Sequence, residues 1–537
     1  MSKLSEKMRT IFTAGSALFL SCGLLTGCGN TESTSSAQET SPVEEEPAID
    51  LNLLDENLVD DNYDNFYEIF VYSFCDSDGD GHGDLNGVTS KLSYLRDMGY
   101  TGIWLMPIHP SSTYHKYNVD DYYDIDDLYG TLEDFDNMIA EAHSLGIKVI
   151  LDLVVNHSSS NNSWFRKSAN AHINHDESNE YYDWYNFSDT AKSGYNLYTN
   201  SVGSIYYESQ FDSSMPDFNL DSEGVRNEIC NIIEFWTDRG ADGFRLDACT
   251  SYYTGNSTSN HEFCDWISTK VKEYNEDAFV IGEVLENSTT TIKGYAQAAP
   301  NMSFFSFMTS TNNAESAYPV RCLNSSTAAK TYFGYAETVI DTAAGGIAAP
   351  VLDNHDLNRI CGTVGRVKEK VKFVYGINSM FNGTTFTYYG DEIGMIGSGS
   401  DPNRRISMLW GGDTETTINP PDTSSASYAF DGVEEQLKDE NSIISYYKQI
   451  NNLRNAFPEI ARGSVARTDV GIDKVLVMDK TYNDNTIKVV INFDTEEHVV
   501  EGDYGTLAKG ISAYDEGIVS QDGESLTLSG YSIAILQ

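Results

Sequence analysis

Arg245 stands two residues before Asp247 in Gly243-Phe244-Arg245-Leu246-Asp247-Ala248, a spacing that puts both side chains on one face of an extended chain. A guanidinium beside a carboxylate keeps it ionised and aimed, which makes Asp247 a candidate nucleophile. Three more polar clusters end strand-like runs: Asp152-Leu-Val-Val-Asn156-His157, Ile281-Gly282-Glu283-Val284 and Leu352-Asp353-Asn354-His355-Asp356. Carboxyl groups that share a pocket repel one another, so the least compensated is pushed towards protonation and can donate a proton. A nucleophilic carboxylate and a protonated carboxyl about 5 to 5.5 Å apart are what cleavage of a glycosidic bond with retention requires.

Taken in order, these four segments closely resemble the four sequence regions of glycoside hydrolase family 13, the α-amylase family. The resemblance implies Asp247 as nucleophile with Arg245 as its partner, Glu283 as general acid/base, and Asp356 as the carboxylate that grips sugar hydroxyls. It likewise implies His157 and His355 as imidazoles that hydrogen-bond the sugar at the cleavage point. Tyr117, in His115-Lys116-Tyr117-Asn118, matches the tyrosine whose ring lies beneath that sugar, although the family commonly has Asp where Asn118 stands. Asp401 and Arg405, four apart, match a pair that binds the next sugar in some members.

Asp76-Ser-Asp78-Gly-Asp80-Gly-His82-Gly-Asp84 places acidic side chains at alternate positions of a Gly-rich loop, the arrangement that oxygen-seeking Ca²⁺ needs. The twelfth position is Gly87 rather than Glu, so this is not an EF-hand. It resembles the family's calcium loop after the first barrel strand, with the His82 carbonyl as a further ligand. Asn156 matches a ligand of a different calcium site, and the family's usual Lys-His after the second region is Thr250-Ser251 here.

Ala248, where relatives acting on α-1,6 linkages carry valine, and Met215-Pro-Asp-Phe-Asn-Leu220 together imply α-1,4 glucans, starch and maltodextrins, as substrate. The reading is therefore an α-amylase-like hydrolase. The alternatives are a 4-α-glucanotransferase, which Thr250-Ser251 keeps open, a neopullulanase-like or maltogenic activity, and a non-catalytic glucan-binding lipoprotein. Members of that last kind lack some catalytic carboxylates, whereas Asp247, Glu283 and Asp356 are all present.

The elements that must position these groups are legible as a repeated grammar. Leu132, Phe135, Ile139, Ala142 and Leu145 recur at helical spacing, Gly146 stops the helix, and Ile147 to Val155 is a β-branched run. The pattern returns with Val225, Ile229, Ile232, Ile233 and Trp236, then Gly240, then Phe244 to Ala248. Alternating helices and buried strands imply an α/β fold with a parallel sheet. Strands are expected at Phe66–Phe74, Gly102–Met106, Val149–Val155, Gly243–Leu246, Phe279–Glu283, Ala349–Asp353 and Thr385–Tyr389, with another around Met302–Met308. Eight such strands make a (β/α)8 TIM barrel, whose chemistry gathers at the strands' carboxyl ends. The barrel is assigned to residues 62–157 and 221–460, with a subdomain inserted after the third strand at 158–220. From 461 to 537 short alternating strands replace the helices, which implies a C-terminal antiparallel β-sandwich.

The N-terminus carries Lys3, Lys7 and Arg9 before an apolar run from Ile11 to Leu25 and then Leu25-Thr26-Gly27-Cys28. That run is shorter than the roughly 20 residues a bilayer needs and has the flanks of a secretory signal. It resembles a bacterial lipoprotein signal, with residues 1–27 removed, the lipid on Cys28, and Ser/Thr/Glu/Pro-rich residues 28–61 as a disordered tether. The remaining six cysteines are dispersed, with no Cys-x-x-Cys spacing that would suggest zinc. A net charge of -47, from 81 acidic against 34 basic residues, argues against nucleic acid or an anionic membrane surface as partner. Uncharged glucans are not penalised. A monomer that touches the membrane only through its lipid is expected.

Overall fold

The computed structural model describes residues 58–284, 288–306, 317–412 and 415–537. The expected signal segment, Cys28 and the tether up to residue 57 lie outside the described residues.

Short apolar runs form β1 (Asn65–Ile69), β2 (Gly102–Leu105) and β3 (Lys148–Leu153) of the barrel. The insertion contributes β4 (Phe187–Ser188), β5 (Tyr195–Thr199) and β6 (Ser204–Glu208). The barrel resumes with β7 (Gly243–Leu246), β8 (Phe279–Gly282), β9 (Ser303–Ser306), β10 (Ala348–Pro350) and β11 (Thr385–Tyr388). Its eight strands pair in the order β10-β9-β8-β7-β3-β2-β1-β11, and a parallel bridge between Val351 and Phe386 joins the two ends. The strand expected around Met302–Met308 is β9. The run expected as one strand from Phe66 to Phe74 is instead β1 followed by a helical turn, Val71–Phe74. Tertiary bonds override the β-propensity of that turn: Ser73 Oγ donates to the Arg405 carbonyl at 2.6 Å, and the Gly83 amide to the Tyr72 carbonyl at 2.9 Å.

Inward-facing side chains, among them Phe66, Trp104, Ile150, Ile281, Phe305 and Phe386, fill the cylinder with an apolar core. It is a packed core rather than a pore, so polar chemistry is confined to the rim. The helices pack outside. That at Leu132–Ser144 starts with a capping box, in which Thr131 accepts from the Asp134 amide and Asp134 accepts from Thr131. That at Glu223–Asp238 is capped by Ser222 and buries the predicted Val225, Ile229, Ile232, Ile233 and Trp236.

The insertion folds as a helix, Ser163–Ile173, beside the small antiparallel sheet β4-β6-β5. Beyond Gly463 the chain forms a five-stranded and a three-stranded antiparallel sheet that enclose Val475, Val477, Val490, Leu526, Leu528 and Leu536. On the other side of the five-stranded sheet Phe493 and Tyr531 meet barrel residues: Phe373 stacks on Tyr531 with ring centres 4.7 Å apart, and Tyr332 approaches Phe493 at 5.4 Å. All six dispersed cysteines, from Cys75 to Cys361, are free, and five of them are buried.

Candidate active site

Gly243 opens the strand that carries the central arginine, and its absent side chain is required. A Cβ there would lie 1.9 Å from the Phe279 carbonyl oxygen, so only glycine lets β7 and β8 approach as they do. Two residues on, Arg245 points inward, fully buried, with its guanidinium 5.1 Å from the centre of the Trp104 ring.

Arg245 does not serve Asp247 alone. Its Nη1 bonds Asp247 Oδ1 at 2.8 Å and Asp152 Oδ1 at 2.7 Å, while Nη2 bonds Glu283 Oε2 at 2.9 Å. The expectation that Arg245 holds Asp247 in particular ionised is thus corrected: one guanidinium is shared by three. The Glu283 Oε2 also accepts the Ala248 amide at 2.9 Å, which ties the two proposed catalytic loops together. Parallel register explains the sharing, because Asp152 of β3 lies directly opposite Arg245 of β7. With the cation divided, burial dominates and the carboxyls of both Asp247 and Glu283 are pushed up, Arg245 opposing in each case.

Asp356 goes the other way. Burial disfavours its charge, but His355 at 3.2 Å and Arg405 at 2.9 Å outweigh that and hold its carboxyl well below the usual range. His355 is sandwiched, with Nδ1 2.5 Å from Glu68 Oε1 and Nε2 facing Asp356 and the Tyr117 hydroxyl. Burial would strip its proton, yet Asp356 and Glu68 raise its pKa to about 10, so the ring is an imidazolium at neutral pH. His157 is the opposite case: burial lowers it to about 4, and its Nε2–H donates to the Tyr117 carbonyl.

These groups surround a pocket of about 470 Å³ at the carboxyl ends of the strands. Of the predicted residues, Tyr117, His157, Asp247, Glu283, Asp356, Asp401 and Arg405 form its wall, while Arg245 and His355 are buried behind it. Asp401 and Arg405, both on the wall, do not bond each other. Asp401 bonds Arg404 at 3.0 Å, and Arg405 is drawn to Asp356. Asn118 turns away to donate to Ser214 Oγ at 2.7 Å. Asn156 donates to Asp217 Oδ1, and the Gln210 amide spans Asp217 Oδ2 at 3.0 Å and the Ser251 carbonyl at 2.8 Å.

Sequence reasoning missed Phe211 and Asp212, both on the wall, and Glu68 beneath it. Phe211 is 52% exposed, with its ring 5.5 Å from His157. Nothing in its local sequence marks it. Glu68 did carry a signal, an acid in the middle of the apolar strand Phe66-Tyr-Glu-Ile-Phe70.

In the acidic loop, single carboxylate oxygens of Asp76, Asp78 and Asp84 come within 4.8 Å of one another. Asp80 is not in that group; its carboxylate accepts from the His82 amide at 2.7 Å and faces the His82 ring at 3.3 Å. Asp84 also caps the helix Leu85–Asp97 by accepting from the Gly87 amide. The donor set fits a hard cation. Three like charges converge with no lysine or arginine bonded to them among the described residues, only backbone amides and the Ser77 hydroxyl.

A (β/α)8 barrel whose rim holds an arginine shared by three carboxylates, one of them on each of three neighbouring strands' ends, belongs to a carbohydrate-cleaving class of enzyme. The α-amylase catalytic-domain model matches residues 68–463, and the chain belongs to the α-amylase family of glycoside hydrolases. It is 35% identical to Alpha-amylase 3 of Dictyoglomus thermophilum over 447 residues, which cover 81% of this chain and 85% of that one. It is 27% identical over 514 residues to an oligo-1,6-glucosidase of Bacillus cereus, covering 81% and 91%. Among solved structures, Eubacterium rectale Amy13B superposes with a TM-score of 0.84 at 36% identity, over 90% of this chain and 97% of that chain.

Proposed function

We propose that the chain is a retaining hydrolase of α-1,4 bonds in starch and maltodextrins. The observation that carries this reading is the single guanidinium of Arg245 bonded to both Asp247 and Glu283 on one pocket wall. Asp247 attacks the anomeric carbon to form a glycosyl ester, and Glu283 gives its proton to the departing oxygen. Glu283 then takes a proton from the water that hydrolyses the ester. Asp356, held anionic by His355 and Arg405, binds sugar hydroxyls and stabilises the positive charge that develops on the ring. Ala248, on the pocket wall where relatives acting on α-1,6 linkages carry valine, is in keeping with α-1,4 linkages.

The first test is the anomeric form of the initial product. With maltopentaose, proton NMR is expected to show the α anomer before mutarotation; initial β product would overturn the retaining mechanism.

Transfer to a second sugar, as a 4-α-glucanotransferase performs, is favoured by one observation: Phe211 presents an exposed ring on the same pocket wall as Thr250 and Ser251, a surface on which an acceptor sugar could stack. Maltotriose would then give longer chains, and Phe211→Ala would suppress them more than it suppresses release of reducing ends.

In the same reading Asp76, Asp78 and Asp84 hold Ca²⁺, which braces the loop after β1 against the helix Leu85–Asp97. A lipid on Cys28 keeps a monomeric enzyme at the cell envelope, where extracellular glucan reaches it.

A further inference from the structure

Behind the loops that carry Asp356 and Asp401 lies a second cavity of about 260 Å³, which shares no wall residue with the catalytic pocket. Its walls come from three segments: the turn around helix Ile360–Thr363, Gly397–Ser398, and Ser425 to Ser427. In a chain with 81 acidic residues against 34 basic, this wall has two arginines and, among the described residues, no carboxylate.

The wall is also rich in unspent hydrogen-bond donors. Arg359 is fully buried; its Nη1 bonds the Tyr389 carbonyl at 2.7 Å and Asp391 at 3.1 Å, but among the described residues its Nη2 has no partner. Asp391 pairs with Nη1 alone, so Nη2 is left free for a further acceptor. Among the described residues, the guanidinium of Arg366 and the hydroxyls of Ser398, Ser425 and Ser427, all on exposed residues, and the side-chain nitrogen of half-buried Asn358 donate to no protein acceptor. The frame around them is fixed. Asn358 Oδ1 accepts from the Gly399 amide, the Arg359 amide donates to the Gly397 carbonyl, and Asn403 Oδ1 accepts from the amides of Ser424 and Ser425. Arg366 sits at a φ of +60°, a left-handed conformation that non-glycine residues seldom adopt.

Two guanidinium groups, an amide and three hydroxyls around an acid-free cavity complement a tetrahedral oxyanion, which offers several acceptors and a negative charge. A neutral sugar would leave the Arg366 charge unmatched. We propose that this cavity binds one phosphate-class oxyanion, either free phosphate or the phosphoryl group of a sugar phosphate. Because Arg359 Nε donates to the Arg404 carbonyl at 3.0 Å, the bound anion would brace the segment that places Asp401 and Arg405 on the catalytic wall.

The test is calorimetric titration of the full chain with sodium phosphate and with glucose 6-phosphate, each against sodium chloride at matched ionic strength. One saturable site is expected for phosphate, and a tighter one for glucose 6-phosphate if the phosphoryl group arrives on a sugar. Arg366→Gly, which accepts the left-handed backbone and removes the guanidinium, is expected to keep the parent's melting curve in chloride and to weaken binding at least tenfold. Arg366→Lys should restore part of it. No saturable signal above chloride for either ligand in the parent, or undiminished binding in Arg366→Gly, would overturn the proposal.

Discussion

Glu283 and Asp247 must hold opposite protonation states at the start of a catalytic cycle, yet burial raises the carboxyls of both. Raising the nucleophile moves the acid limb of the rate profile upward, because Asp247 must be ionised. Raising Glu283 moves the alkaline limb upward, because it must be protonated. A kcat/KM profile on maltopentaose is therefore expected to have both limbs above the ordinary carboxylate values of about 3.9 and 4.3, as properties of the coupled pair. Glu283→Gln should lower kcat by about 10²–10⁴-fold and abolish the alkaline limb. Retention of the parent rate would remove Glu283 from the role of acid. His355 has a readout of its own. A histidine whose pKa rises to about 10 on folding stabilises the fold fully below its unfolded value near 6.5, and that contribution is lost as pH climbs through about 10. Urea unfolding from pH 6 to 10 is expected to show a downward slope in the parent that His355→Gln lacks.

At the scale of elements, the strand-end positions of Asp247 and Glu283 were legible because they depend on local pattern: an apolar run, then an acid. The sharing of Arg245 was not. It depends on β7 lying beside β3, which are 93 residues apart at the Asp152–Arg245 contact and separated in the chain by the whole insertion. The partners of Asp401 and Arg405 escaped for the same reason. Their spacing is helical, but the helix Asp401–Arg404 ends before Arg405, which leaves that side chain to the charge across the pocket. The acidic loop was legible as a cluster but not in detail, since the turn that aims Asp80 at His82 is set by its own backbone bonds. This loop yields a clean test. Asp78 is exposed and caps no helix, so Asp78→Asn removes a charge without unpinning Leu85–Asp97. A chelator is expected to lower the melting temperature of the parent, with about 2.7 kcal/mol at stake for a site a hundredfold saturated, and to change that of Asp78→Asn far less. Equal responses would show that the cation is not held there.

For the molecule as a whole, the C-terminal sheets are part of the barrel's core rather than an appendage. One apolar cluster runs from the barrel helices through Phe373, Phe381 and Tyr332 into Phe493, Ile533 and Ile535. Composition placed the change of architecture near residue 461, but no periodicity could reveal that the two parts would share apolar surface. Ending the chain at Gly463 would uncover that surface at about 25 cal/mol per Å². Such a chain is expected to aggregate on size exclusion and to lose its cooperative melting transition; a monodisperse product with the parent's transition would mean that the cores are independent.

The bridge between Val351 and Phe386 gives this architecture a temporal meaning. It is the seam where the last strand meets the one before it, just beneath the segment that carries Asp356. A chain still being synthesised has its nucleophile and proton donor in hand long before it owns the strand that completes the ring. The ring is thus closed only by the last strand to be made. Chains halted before Thr385 should be silent on starch even with Asp247 and Glu283 intact.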